Sequence, residues 1–265
     1  MKTASIIMAA GRGSRMKGYD GSKALLPLMP ESSPFQGRHP ILLNILKSLP
    51  PGPKAVVVNH GKEDIFEQTR GFGLTYCEQP QLNGTGGALL AARKFIETTD
   101  CPYIIITMGD VPFVSNSSYM HLITRLETAG LAVLGFTPMD KKQYGLLQIS
   151  NGCVEKIIEW KYWRAFPAED RLRMTTCNSG IYAARRETLI RYMPRLAATP
   201  RKVVKEIDGE KTEISEYFIT DIVEYMVNDG LRVRYTTAKN EMESMGIDDL
   251  PALVRAQTYF ESVFL

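Results

Sequence analysis

Met8-Ala-Ala-Gly-Arg-Gly-Ser-Arg-Met16, followed by Ser22-Lys-Ala-Leu-Leu-Pro-Leu28, sets glycines and three cations behind a short apolar run, Ser5-Ile-Ile-Met8. That combination suits a polyanion. Glycine lets backbone N–H groups of Gly11, Gly13 and their neighbours close on an anion at low steric cost. Arg12, Arg15 and Lys23 add fixed positive charge, Arg15 as a planar fork for phosphate oxygens and Lys23 as a point charge. Two other glycine-loop fingerprints are excluded. A dinucleotide loop needs a third glycine where Met16 stands, and no Gly-Lys-Ser/Thr of a P-loop follows. Taken alone, the loop also fits a tight strand-to-helix turn with solvated cations, and both readings stay open.

Four further places carry usable chemistry. In Met108-Gly-Asp-Val-Pro112, Asp110 closes an apolar run, where a carboxylate is a hard oxygen ligand for magnesium beside phosphates or the cap of a helix starting near Ser115. Asp248, in Met245-Gly-Ile-Asp-Asp249, is a second candidate metal ligand or an N-cap, although Asp249 is better placed for capping. In Gln79-Pro-Gln-Leu-Asn-Gly-Thr-Gly-Gly87 a side-chain amide precedes a glycine turn. Gln79 can read the edge of a base while Gly84 and Thr85 let the backbone lie against it, or the segment is a helix start with Thr85 near the cap. Glu159 reads as an exposed strand-end carboxylate and Asn178 as a bulge or turn residue; Trp160, Tyr162 and Trp163 are packing groups or a pocket wall.

The elements that must position these residues follow from periodicity. Apolar runs at 4–8, 55–58, 74–77, 103–107 and 132–136 alternate with helical patterns at 41–48, 63–70, 85–96 and 117–129, which predicts an α/β sheet with helices on its faces. Ligands in such sheets sit at the carboxyl ends of the strands, and the turns after the first, third and fourth runs all open there. Beyond about 136, strands at 145–149, 154–159 and 174–183 with few helices between them predict an antiparallel or mixed part that completes the pocket for a second substrate. Helices resume at 185–193, 215–228 and 249–264, with a strand at 232–236. The proline-rich stretches 27–40 and 50–53 read as surface loops.

The composition is that of an ordinary globular chain of 265 residues, long enough for one large domain. We expect a single domain over 1–265, with a nucleotide-binding half to about 136, an acceptor-binding half over about 137–248 and a terminal helix over 249–265. A net charge of +3, with scattered basic residues, gives no argument for nucleic acid or a membrane surface. Cys77, Cys101, Cys153 and Cys177 lie far apart without Cys-x-x-Cys pairing and indicate a reducing compartment. No signal-peptide succession or membrane-length apolar run is present, so a cytoplasmic location is expected.

Together these segments resemble, in order, the sugar-phosphate nucleotidyltransferases, most closely the pyrophosphorylase domain of bacterial N-acetylglucosamine-1-phosphate uridyltransferases. Residues 8–16 and 23–28 are similar to the family's Leu-Ala-Ala-Gly-x-Gly-Thr-Arg-Met and Lys-x-Leu-x-Pro-Leu. Gln79 with Gly84-Thr85-Gly86, Gly109-Asp110-Val-Pro112, Tyr144-Gly145, Ile157-Ile-Glu159, Asn178-Ser-Gly-Ile181 and Glu216-Tyr-Phe-Ile-Thr-Asp221 follow. The resemblance runs from Ile6 to about Leu250.

It implies a Rossmann-like three-layer α/β fold with a mostly parallel mixed central sheet and a smaller antiparallel sugar-binding part. It also implies a magnesium-dependent enzyme joining a sugar 1-phosphate to a nucleoside triphosphate with release of pyrophosphate. UTP is favoured, with thymine and cytosine as other pyrimidines that Gln79 could serve. Arg15 and Lys23 would be catalytic; Met8, Ala9, Ala10, Gly11, Arg12, Gly13, Ser14, Gln79, Gly84, Thr85 and Gly109 would hold the nucleotide; Gly145, Glu159 and Asn178 would line the sugar pocket; Asp110 and Asp248 would hold magnesium. The departures are an extra residue between Gly11 and Lys23, Ser22 in place of a proline, Asp248 in place of an asparagine, and a longer 30–40 segment that could cover the site. No hexapeptide repeat is present, so acetyl transfer is not expected. The alternatives are a non-catalytic nucleotide sensor and a transferase for a non-sugar acceptor such as phosphocholine.

Overall fold

The computed structural model describes residues 1–11, 13, 16–207 and 210–264. Strand β1 (Thr3–Met8) is buried at every position, as a strand covered on both faces must be. A 3-10 turn at Lys23–Leu25 leads into a hairpin, β2 (Pro27–Ser33) and β3 (Gln36–Pro40). Then come α1 (Ile41–Ser48), β4 (Lys54–Val58), α2 (Lys62–Gln68), β5 (Thr75–Glu78), α3 (Thr85–Ala91), α4 (Arg93–Thr98), β6 (Tyr103–Met108), α5 (Asn116–Arg125) and β7 (Leu131–Phe136). The second half adds β8 (Leu146–Ser150), β9 (Cys153–Ile158), α6 (Trp160–Trp163), α7 (Ala168–Arg173), β10 (Cys177–Arg185), α8 (Arg186–Ala198), β11 (Arg201–Ile207), β12 (Glu210–Glu216), α9 (Thr220–Asn228), β13 (Val233–Thr237), α10 (Glu241–Ser244) and α11 (Leu250–Phe264).

The central sheet runs β13-β7-β10-β6-β1-β4-β5, with β8 and β9 attached beside β10. Strands β6, β1, β4 and β5 are parallel, as are β13 and β7; β10 is inserted antiparallel between β6 and β7. This is the expected mixed α/β architecture. Alternate strand residues feed two cores. Ile7, Val56, Val58 and Ile105 pack under α1, α2, α5 and α11, whereas Ile6, Ala55, Val57, Ile104 and Ile106 pack under α3, α4, α8 and α9. Two helical layers on one sheet make the fold three-layered. A third, small cluster of Phe136, Leu146, Ile158, Trp163 and Cys177 holds β8 and β9 to the sheet.

The antiparallel insertion decides where the site forms. Tyr182 of β10 registers with Ile106 of β6, so the start of β10, Cys177 to Gly180, lies at the edge where β1 and β6 end. A strand running the other way brings its first residues to the carboxyl ends of its neighbours.

Several expectations need correction. The 27–40 segment is a hairpin, not a loop. The Gln257 amide of α11 donates to the carbonyls of Pro27 (2.9 Å) and Pro34 (2.8 Å), and residues 30–40 line neither cavity described below. The helix expected over 85–96 is two helices, interrupted at Ala92. The helix expected from 215 starts at Thr220, because Ser215 and Glu216 pair with Lys202 and Arg201 in a β11–β12 hairpin that alternating charges had hidden. Between β9 and β10 stand two short helices, and β10 begins at Cys177 rather than 174.

Candidate active site

Lys23 is carried on the 3-10 turn that follows the glycine loop. Its Nζ donates to Asp110 Oδ2 (2.8 Å), Asp248 Oδ1 (3.2 Å) and the Ile247 carbonyl (3.2 Å). Burial alone would lower the Lys23 pKa, but the two carboxylates outweigh it and the net direction is upward, so the side chain is held as an ammonium. Gly13 has φ +64°, a region that favours glycine, and a Cβ there would sit 2.5 Å from Lys23 Cγ. The stem of Lys23 therefore passes under the loop only because Gly13 has no side chain. Met8, Ala9, Gly11, Gly13, Lys23, Gly109, Asp110 and Asp248 line one cavity of about 170 Å³ together with Ala24 and Met108. Ala10 is buried beside them, and the Gly109 N–H donates to Met8 O at 2.9 Å. Arg12, Ser14 and Arg15 lie outside the described residues.

Asp110 is not a helix cap; Ser115 caps α5 through its own Oγ. Asp249, not Asp248, caps α11, its Oδ1 accepting from Ala252 N at 2.9 Å. Asp248 is thus released from the capping role and held at the cavity by its neighbour: Ile247 N donates to Asp110 O at 2.9 Å. Behind this loop, Glu243 is buried and accepts from Ser115 N (2.9 Å), Ser115 Oγ (2.6 Å), Ser118 Oγ (2.6 Å) and Lys239 N (2.8 Å). Burial would raise its carboxyl, but these donors hold it below the ordinary range. The carboxylate ties the approach to Asp248 onto the start of α5. Among the described residues no set of three or more His, Cys, Asp or Glu side chains converges for a metal. The two carboxylates around one cationic atom nonetheless fit magnesium, which takes one or two carboxylates and completes its shell with substrate phosphates and water.

Gln79 is buried and its amide nitrogen donates to Asn83 Oδ1 (3.0 Å) and Gly84 O (3.2 Å), which leaves its carbonyl oxygen as the end that can meet a base. Gly84 and Thr85 also receive another segment of the chain. A Cβ at Gly84 would lie 2.4 Å from Tyr217 O, Gly86 N donates to that carbonyl at 2.8 Å, and Thr85 Oγ1 accepts from Ile219 N at 3.3 Å. The turn is bare so that the 217–219 segment can dock on it.

That docking builds a second cavity of about 340 Å³, lined among others by Glu159, Lys161, Tyr162, Phe166, Arg201, Phe218 and Thr220. Glu159 follows β9, half-buried rather than exposed, and accepts from Thr220 Oγ1 at 3.0 Å. Burial raises its pKa, against the opposing pull of Thr220, Lys161 and Arg201. Gly145 and Asn178 are brought together nearby, Asn178 N donating to Gly145 O at 2.8 Å. The Asn178 amide donates to Tyr182 Oη at 2.8 Å, and its carbonyl accepts from Gly180 N at 3.0 Å. Tyr162 is a wall of this cavity, whereas Trp163 is buried with its indole N–H on Tyr144 O. Sequence reasoning missed Lys161, Arg201 and Glu243, each an ordinary charged residue in a polar stretch with no spacing signal.

The family profile described as the MobA-like NTP transferase domain matches residues 5–174, from β1 through the Asp110 turn to Glu159 and beyond, with Asp248 outside the matched span. The chain is 28% identical over 267 residues to the bifunctional protein GlmU of Ruegeria pomeroyi (99% of this chain, 53% of that protein). It is 32% identical over 260 residues to that of Novosphingobium aromaticivorans (96% and 52%). It therefore spans about half the length of these relatives. A putative glucose-1-phosphate thymidylyltransferase from Bacillus anthracis, solved with sucrose, shares the fold with a TM-score of 0.71 at 21% identity, covering 99% of this chain and 97% of that one. With the glycine loop, the Asp110 turn and the parallel strands that position them all inside the matched span, the chain belongs to the MobA-like NTP transferase domain family.

Proposed function

We propose that this chain joins the phosphate of an acceptor, a sugar 1-phosphate in the first instance, to the nucleotidyl group of a nucleoside triphosphate, with release of pyrophosphate. The observation that carries the reading is the Lys23 ammonium set between Asp110 and Asp248 under a glycine loop, at the same sheet edge as the start of β10. An acceptor phosphate oxygen attacks the α-phosphorus in line; the bond from that phosphorus to the bridging oxygen breaks and pyrophosphate leaves. The acceptor is already ionised near neutral pH, so no side-chain base is needed. Positioning and charge neutralisation supply most of the acceleration in such transfers.

Lys23 moves from its carboxylates to the α-phosphate region as the triphosphate enters, and the backbone of the glycine loop receives the leaving phosphates. Asp110 and Asp248 would hold magnesium, which neutralises phosphate charge when bound. The Gln79 carbonyl oxygen accepts from the imide N–H of a uracil or thymine, and UTP is the favoured donor. Glu159 accepts from acceptor hydroxyls, while Asn178 and the Gly145 backbone form the neighbouring wall.

The test is pyrophosphate release from purified protein with magnesium, crossing UTP, dTTP, CTP, GTP and ATP against sugar 1-phosphates, N-acetylhexosamine 1-phosphates and phosphocholine. Release with one pair, lost in Asp110→Ala, supports the transfer. Silence across the panel, with a nucleotide still raising the Tm, supports a sensor instead.

A further inference from the structure

The charges of the larger cavity are not equally committed. Arg201 pairs with Asp221 through two nitrogens, one at 3.0 Å, and Lys156 pairs with Glu224 at 3.2 Å. Glu159 has the Thr220 hydroxyl. Lys161 stands apart: its Nζ lies over the rings of Tyr162 (4.9 Å) and Phe218 (5.4 Å), and among the described residues no carboxylate lies within ion-pair distance of it. A hydrogen-bond acceptor for hydroxyls and an exposed ammonium that makes no ion pair among the described residues thus line one cavity with the two aromatic rings.

We propose that the acceptor belongs to the phosphorylated sugar acids: a hydroxylated body that Glu159 reads, bearing a carboxylate that Lys161 reads. This rests on the transfer reading above. A neutral sugar leaves the ammonium unused. A quaternary ammonium acceptor meets it directly, because the ring faces that would receive such a cation already carry Lys161.

The experiment compares glucuronic acid 1-phosphate, glucose 1-phosphate and phosphocholine as probes, by calorimetric binding to the purified chain and, separately, by pyrophosphate release with each nucleoside triphosphate. One charge-assisted contact corresponds to about tenfold tighter binding of the uronate over glucose 1-phosphate, and Lys161→Gln brings that ratio to about one. Equal affinities, preference for glucose 1-phosphate or phosphocholine, a ratio that survives Lys161→Gln, or no binding of any probe overturns the assignment. Uronate preference without pyrophosphate release defeats the transfer reading and leaves a phosphorylated sugar acid as the ligand of this cavity rather than as an acceptor. Release with neutral sugars in preference does the reverse.

Discussion

Lys23 Nζ and Asp110 Oδ2 lie 2.8 Å apart although 87 residues separate them in the chain. Asp248 lies 3.2 Å from the same ammonium, so one cation joins two carboxylates from distant turns. Lys23→Ala and Asp110→Asn should each lower kcat by about 10²–10³-fold, the scale for losing one preorganised charged contact. Manganese binding without nucleotide, followed by its EPR signal, should strengthen in Lys23→Ala, where the ammonium that Asp110 and Asp248 share is removed. Unchanged manganese binding would remove Asp110 and Asp248 as ligands.

Glu159 carries a raised pKa because it is half-buried at the cavity proposed for the acceptor. Its folded-state value lies above the unfolded 4.5, so the folded state is favoured below the unfolded pKa and loses that contribution as pH rises through the folded one. At neutral pH Glu159→Gln should therefore raise Tm, while raising the acceptor KM and leaving nucleotide affinity alone. In the wild type the acceptor KM should climb as pH falls through the raised pKa, above the ordinary carboxyl range. A KM flat with pH, or an effect confined to the nucleotide, would take Glu159 out of the acceptor pocket.

Glu243 has the opposite sign. Its pKa is depressed, so its contribution is present above the unfolded value of 4.5 and is lost as pH falls through the folded one. Glu243→Ala leaves the Ser115 and Lys239 N–H groups and two serine hydroxyls without their acceptor. We expect a loss of about 2–4 kcal/mol by urea unfolding at pH 7, shrinking in acid. A loss under 1 kcal/mol would show that the α10 anchor does not matter.

Gly84→Ala should destabilise by about 2–3 kcal/mol, since its Cβ would strike the Tyr217 carbonyl and the residue has φ +95°. Because the 217–220 segment carries two walls of the cavity proposed for the acceptor, acceptor binding should weaken more than nucleotide binding in calorimetry. An equal effect on both would separate this turn from the acceptor.

Ser22 buries a hydroxyl that has no hydrogen-bond partner among the described residues. Ser22→Ala should therefore be neutral or stabilising by about 1 kcal/mol, read as the urea midpoint. A clear destabilisation would mean that a partner for the hydroxyl exists.

The sequence by itself determined much of the fold's first half. Strands such as Thr3–Met8 and Tyr103–Met108 are continuous apolar runs, and parallel strands covered on both faces have to be. It also named the Asp110 turn, the Lys23 segment and Asp249 as the better cap, because turns, caps and helix starts are written in neighbouring residues. The β11–β12 hairpin was illegible for the converse reason: an exposed two-stranded ribbon needs no apolar face, so Arg201–Glu216 reads as a polar stretch.

What only the tertiary structure decided is which of those local pieces meet. No spacing in the chain relates Lys23 to Asp248, Glu159 to Thr220, or Arg201 to Asp221; β10 entering antiparallel and the Tyr217 segment docking on Gly84 and Gly86 bring them together. Gly84 and Gly86 show the limit most clearly. Their presence is local, but the reason for it, a backbone carbonyl from more than a hundred residues away, exists only after the chain has packed.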